Sequence, residues 1–244
     1  MKPWQPALSY LSWQLRDQRR TVLVMAGIAV LVVLIGRGFE PGADESAELA
    51  AGLLRTVMGQ VGWPLVLLLA SGMVSGDRTE GYFRMLFSAP VDPLQFYLQK
   101  FLVGAVTVAL LPFLMAAAIG LSIGTTPSPW EQLAVLELTY LALGGLVFCW
   151  STFMRRDWII GLAIFIFQGV IGTMVESGAT LPGWLHWAHR LLQPFHLVKF
   201  GGLIERAEFP TGMEWFHYIG YALGVLILAG VIIRKRPMAE GGRG

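Results

Sequence analysis

Two histidines three residues apart, His186 and His189, stand in the run Leu181-Pro-Gly-Trp-Leu-His-Trp-Ala-His-Arg-Leu-Leu-Gln-Pro194. On a helix that spacing brings both imidazoles to one face, where they could share a metal ion. A closed zinc site needs four ligands, and no cysteine or nearby carboxylate completes the set. The plainer alternative is a pair of interfacial or helix-capping histidines, with His196 and His217 close by. No histidine falls in the middle of an apolar run, where a haem ligand would sit. Glu137 and Gln168 do fall inside such runs. If the runs cross a membrane, polar groups there are costly and usually face a bundle interior or a water-filled path. One reading makes both residues a polar lining, and another lets Glu137 reach headgroup water. Covalent chemistry has little to work with, since H-E-x-x-H, a pair of carboxylates within the apolar runs and the phosphate loop G-x-x-x-x-G-K-[ST] are all absent. No catalytic or metal residue is therefore assigned, and the chain is not expected to be an enzyme by itself.

The elements that must position these residues follow from composition. The 244 residues are 55% hydrophobic and 14% charged, with a mean hydropathy of +0.60. A soluble domain carries roughly 25% charged residues, so this chain has too few to cover a water-facing surface. Lipid tails solvate an apolar exterior, and tryptophan anchors helix ends at headgroups, which suits the nine Trp. The single Cys149 excludes an internal disulfide framework. A net charge of +2 is too small to argue for a nucleic-acid partner.

Apolar runs long enough to approach or cross a bilayer lie at about 21–36, 61–76, 101–123, 133–154, 158–175 and 215–233. They predict a single all-α transmembrane domain over 1–244 with six spans. The first run starts only after Arg20 and has no small-residue cleavage site, so it is expected to remain as an anchor. Thirteen of the 18 basic residues fall in the N-terminal segment, the second-to-third and fourth-to-fifth connections and the tail. The positive-inside rule then places both termini in the cytoplasm. Two G-x-x-x-G pairs, Gly120/Gly124 and Gly220/Gly224, permit close helix approach, with packing inside one subunit the favoured use.

Residues 3–18 read as an amphipathic helix lying on membrane lipid, with Leu8, Leu11 and Leu15 on one face. The connection at about 77–90 is charged at its start, then presents Tyr82, Phe83, Met85, Leu86 and Phe87 before Pro90 and Pro93 end the helix. So many large apolar side chains on a short exposed helix need a surface to bury them, either membrane or a partner protein. The outer connection at about 176–214 is apolar enough to dip into the bilayer and too broken by proline to cross it.

Thr79-Glu80-Gly81, the turn Met85-Leu86-Phe87, the run Ser88-Ala89-Pro90-Val91 and Lys100 before the next span resemble the pattern of the ABC-2-type permeases, the membrane subunits of ATP-binding-cassette exporters. The surface helix, six spans and long outer connection extend the resemblance along nearly the whole chain. The pattern departs at Tyr82 and Phe83, where small and acidic residues are common. The resemblance implies that about 77–90 is a coupling helix docking into a separate ATPase subunit. Arg78, Glu80, Gly81, Tyr82, Phe83, Arg84, Met85, Leu86 and Phe87 would make that contact. It implies re-entrant helices over the outer connection, a second permease subunit, and Glu137 and Gln168 along the transport path. ATP and Mg would be held by the ATPase, and the membrane would be a prokaryotic inner membrane. The alternative is a stand-alone integral membrane enzyme, or an assembly subunit without transport.

The charge bias gives a topology prediction. A reporter fused after Gly244 that matures only in the cytoplasm is expected to be active. Activity of a reporter that matures only outside would overturn the orientation.

Overall fold

Peptide groups in a bilayer have no water to bond, so apolar segments there fold into helices that satisfy each N–H internally. The computed structural model describes residues 10–38, 46–79, 92–154, 156–191 and 212–235, and among them every regular element is helical. In chain order these are α1 (Leu11–Asp17), α2 (Arg19–Gly36), α3 (Ser46–Ala70), α4 (Ser75–Thr79) and α5 (Pro93–Ile123). They continue with α6 (Trp130–Ser151), α7 (Trp158–Glu176), α8 (Gly183–Leu191) and α9 (Gly212–Lys235). Among the described residues, five helices are long and apolar enough to cross a membrane: α2, α3, α5, α6 and the Tyr218–Lys235 part of α9. The chain is thus an all-α integral membrane protein. The apolar 158–175 run forms the 19-residue α7.

Several helices extend beyond their apolar runs. α3 begins at Ser46 rather than near 61, taking in Glu48 and Arg55, which the sequence reading leaves in an outer loop. Glu48 lies in the first turn, where a carboxylate favours the helix dipole. α5 begins at Pro93 rather than near 101. The Asp92 carboxylate accepts from the Leu94 N–H at 2.9 Å, and Pro93 takes the first helical position. Pro93 therefore opens α5 instead of only closing the helix before it. With 31 residues, α5 is about 46 Å long, well beyond a hydrocarbon core of about 30 Å. Of the interfacial segment 3–18, residues 11–17 form α1, and 1–9 lie outside the described residues. Residues 80–91 and 192–211 also lie outside them, which removes most of the coupling segment and of the outer connection from view.

α5 is the hub of the bundle, touching α1, α2, α3, α6 and α9, while α7 packs on α3 and on Gly145–Ser151 of α6. Its contact with α6 is aromatic: Phe101 lies 4.8 Å from Tyr140 and 5.4 Å from Phe148, centroid to centroid. The Tyr140 hydroxyl donates to the Phe101 carbonyl at 2.9 Å. Tyr140 opens a π-helical turn, Tyr140–Gly144, that changes which α6 side chains face α5 beyond it. A β-carbon at Gly104 would run into the Tyr140 hydroxyl, so the missing side chain is what lets the ring lie against α5. The outer helices are lipid-like on their free faces: Leu34 and Ile35 on α2 and Phe216 and Ile227 on α9 are all exposed. Of the two glycine pairs, Gly120 packs on the chain's own Thr126 and Gly124 ends α5 at φ +85. Among the described residues, nothing lies within 4 Å of a β-carbon at Gly220 or Gly224.

Gly104→Ala is expected to cost about 1–3 kcal/mol by overpacking, and less in a Tyr140→Phe background, where the obstructing hydroxyl is gone. Gly27→Ala, with nothing within 4 Å of its β-carbon, should leave stability nearly unchanged. Thermal unfolding in detergent reads all three, and equal losses at Gly104 in both backgrounds would refute the contact.

Candidate functional site

α3 ends at Ala70, and the chain turns immediately after it. Gly72 makes the turn with φ +74, a backbone conformation that favours glycine. Its N–H donates to Asp157 Oδ2 at 2.9 Å, and the Ser75 hydroxyl donates to the same oxygen at 3.1 Å. Asp157 is buried just ahead of α7. One carboxylate from the α6–α7 connection therefore fixes both the turn and the start of α4.

The same segment is held from the other side by Lys100, two turns into α5. The Lys100 ammonium donates to both Asp77 oxygens, at 3.1 and 3.3 Å, and to the Met73 carbonyl at 3.3 Å. Lys100 and Asp77 are each only 5% exposed, so this is a buried ion pair with hydrogen bonds around it. Asp17 at the end of α1 stands 3.6 Å from the same nitrogen, with its own side chain half exposed. The Trp13 ring lies 5.7 Å away, within cation–π range. One turn earlier on α5, Phe96 stacks on Trp13 at 6.2 Å and meets Tyr10 edge-on at 5.6 Å. Gln14 Nε2 donates to the Phe96 carbonyl at 3.3 Å. Positions 13, 14 and 17 share one face of α1, which is laid along the N-terminal end of α5 by these contacts.

This arrangement binds elements together; it has no nucleophile–base pair. Segment 71–79 is tied directly to α5 and to the α6–α7 connection, and through Lys100 to α1. Such a junction can pass a displacement of one connection to several helices at once.

The residues singled out by sequence fare differently. Arg78 lies on α4, beside the buried Asp77. Glu80, Gly81, Tyr82, Phe83, Arg84, Met85, Leu86 and Phe87 lie outside the described residues. Glu137 is on α6, half-buried, and its Oε1 is buried with no hydrogen-bond partner among the described residues. Gln168 is on α7, and its side chain lies outside the described set. His186 is exposed on α8 next to exposed Trp184 and Trp187, as interfacial side chains are. The side chains of His189, His196 and His217 lie outside the described set. Among the described residues no three His, Cys, Asp or Glu come together as metal ligands.

Sequence reasoning missed Asp17, Asp77 and Asp157, and it counted Lys100 as a loop cation. The correction has a physical basis: α5 continues seven residues N-terminal to Lys100, so its side chain meets α4 instead of water. The available signal was a pair of opposite charges, Asp77 and Lys100, bracketing one connection. Sequence reasoning also passed over Gly120-Leu-Ser122-Ile-Gly124, which spells a nucleophile elbow. Ser122 sits inside α5 and donates to the Ile119 carbonyl at 2.9 Å, in the last turn of a helix rather than on a strand-to-helix turn. No nucleophile is built there.

The fold and this junction define the class: an α-helical integral membrane protein whose charged residues tie several helices together at one end. No family model matches the chain, and no curated protein matches it.

Removing one member of a buried pair strands the other, at roughly 3–5 kcal/mol. Asp77→Asn and Lys100→Met are each expected to lower the unfolding temperature sharply. The combined Asp77→Leu/Lys100→Met variant should recover much of that loss, and Asp17→Asn should cost little. Additive losses in the double variant would show that the two side chains do not interact.

Proposed function

We propose that this chain is the permease subunit of an ATP-driven exporter of the ABC-2 type, working with a separate ATPase subunit and a second permease subunit. The observation that carries the reading is the clamp on segment 71–79. Residues 80–87, with their exposed-helix pattern of Tyr82, Phe83, Met85, Leu86 and Phe87, follow it directly in the chain. A docking helix is useful only if its motion reaches the spans. Asp77 ties the start of this connection to α5 through Lys100, and Asp157 ties it to the α6–α7 connection.

On this reading α7 is the sixth span, alongside the five helices named above, and both termini face the cytoplasm. ATP and Mg bind the partner, whose closure pushes on Tyr82 to Ser88. Arg78, Glu80 and Arg84 orient the contact at its rim. The push passes through α4 into α3 and α5, and the bundle changes the side to which its path opens. Glu137, with a buried and unpartnered oxygen, suits a path-lining role, with Gln168 as its companion on α7. The open face at Gly220 and Gly224 suits the second permease. The region around α8 suits an outer re-entrant cap.

Burying one large apolar side chain contributes roughly 1.5–3 kcal/mol, so two or three could supply much of the docking energy. Phe83→Asp or Leu86→Asp should leave the protein inserted and folded while the ATPase is lost on co-purification in mild detergent. Asp92→Asn, beyond Pro90, should retain it. Full retention of the ATPase by both Asp variants would defeat the coupling assignment.

A further inference from the structure

A cavity of about 580 Å³ opens beside the clamp, between the α1–α2 bend and the end of α3. Arg16, Arg19 and Arg20 line it together with Lys100, against only two carboxylates, Asp17 and Asp77. Those carboxylates are already engaged with the Lys100 ammonium. The three guanidinium groups make no ion pair of 4.0 Å or less among the described residues, where both such pairs belong to Lys100. The cavity thus carries an excess of positive charge that the described residues leave unanswered. Leu68 and Leu69 also line it, and exposed Val22 and Leu23 begin the lipid-like face of α2 next to Thr21.

We infer that this cavity binds the phosphate group of an anionic ligand, with an inner-surface phospholipid headgroup and free phosphate as its two possible sources. Three facts select phosphate. Guanidinium is planar and matches phosphate oxygens two at a time. Arg16 at the end of α1 and Arg19 and Arg20 at the start of α2, all three exposed, line this one cavity. The site also lies where α2 enters its apolar run, the depth at which phosphates of a bilayer sit. Leu68 and Leu69 in the lining would receive the start of an acyl chain, which a soluble anion would leave unused. Because no step of this argument involves transport or the ATPase, the inference stands or falls apart from the proposed function.

The test uses the full-length protein in mixed micelles containing phosphatidylglycerol or phosphatidylcholine, with bound lipid counted by native mass spectrometry. The wild type is expected to retain phosphatidylglycerol over phosphatidylcholine. The Arg16→Gln/Arg19→Gln/Arg20→Gln variant should lose that preference, by roughly tenfold or more in affinity. The corresponding triple Lys variant should fall between them, since it keeps charge and loses the paired geometry. Inorganic phosphate is then added, against chloride at matched ionic strength. Displacement of lipid by phosphate alone assigns a site that also accepts the free ion, and no displacement assigns the lipid headgroup as the source. Equal retention of the two lipids by the wild type, or unchanged retention by the triple Gln variant, overturns the inference.

Discussion

An ammonium group buried near the N-terminal end of α5 sets the terms for everything around it. Desolvating Lys100 costs several kcal/mol unless partners surround the charge. Those partners come from three places: Asp77 on α4, the Met73 carbonyl in the preceding turn, and Asp17 with Trp13 on α1. None is a neighbour of Lys100 in the chain. The need to satisfy one cation therefore fixes how the surface helix, the end of α3 and the start of α5 stand to one another. Asp157 adds the α6–α7 connection to the same assembly by binding the turn that carries Met73.

Away from this charged end the bundle is held by a different kind of contact. Lipid is as apolar as leucine, so helices gain little by hiding leucine from it, and close packing has to do the holding. The α5–α6 contact shows how. Gly104 lets the Tyr140 ring reach the backbone of α5, where its hydroxyl finds the Phe101 carbonyl, and Phe101 lies between Tyr140 and Phe148. Gly161 gives Leu67 the same closeness between α7 and α3. α2 and α9, though packed on α5 on one side, leave broad apolar faces outward.

The two regimes divide the labour in the proposed exporter. The packed aromatic zone keeps α5 and α6 together, and the charged junction would give a push on the proposed coupling connection a route into several helices. The basic cavity lies at that same junction, so a phosphate group bound there would sit against Lys100 and Asp77, the pair that holds α4. Occupancy of the cavity and firmness of the clamp are physically adjacent.

Much of this was legible without coordinates. The absence of charge from long apolar stretches is enough to predict membrane helices, because a bilayer allows no other open structure. The runs at 21–36 and 158–175 match α2 and α7 closely. The ends were harder. Glu48 and Arg55 interrupt the apolar signal before 61, yet the helix continues through them, since hydrogen bonding along a helix does not stop where hydropathy does. Pro93, which follows the capping Asp92 and opens α5, reads in the sequence as a stop. The coupling residues stand on pattern alone, with only 77–79 of their segment described. By itself, then, the sequence determined that the chain is helical and that it belongs in a membrane. Tertiary structure alone decided that Lys100 is a buried hub rather than a loop charge. It also decided that Asp17, Asp77 and Asp157 serve one junction and that three arginines share one cavity. The reason is distance along the chain: Asp157 bonds residues 82 and 85 positions away, and pairings of that kind are set by how helices pack, which local periodicity does not encode.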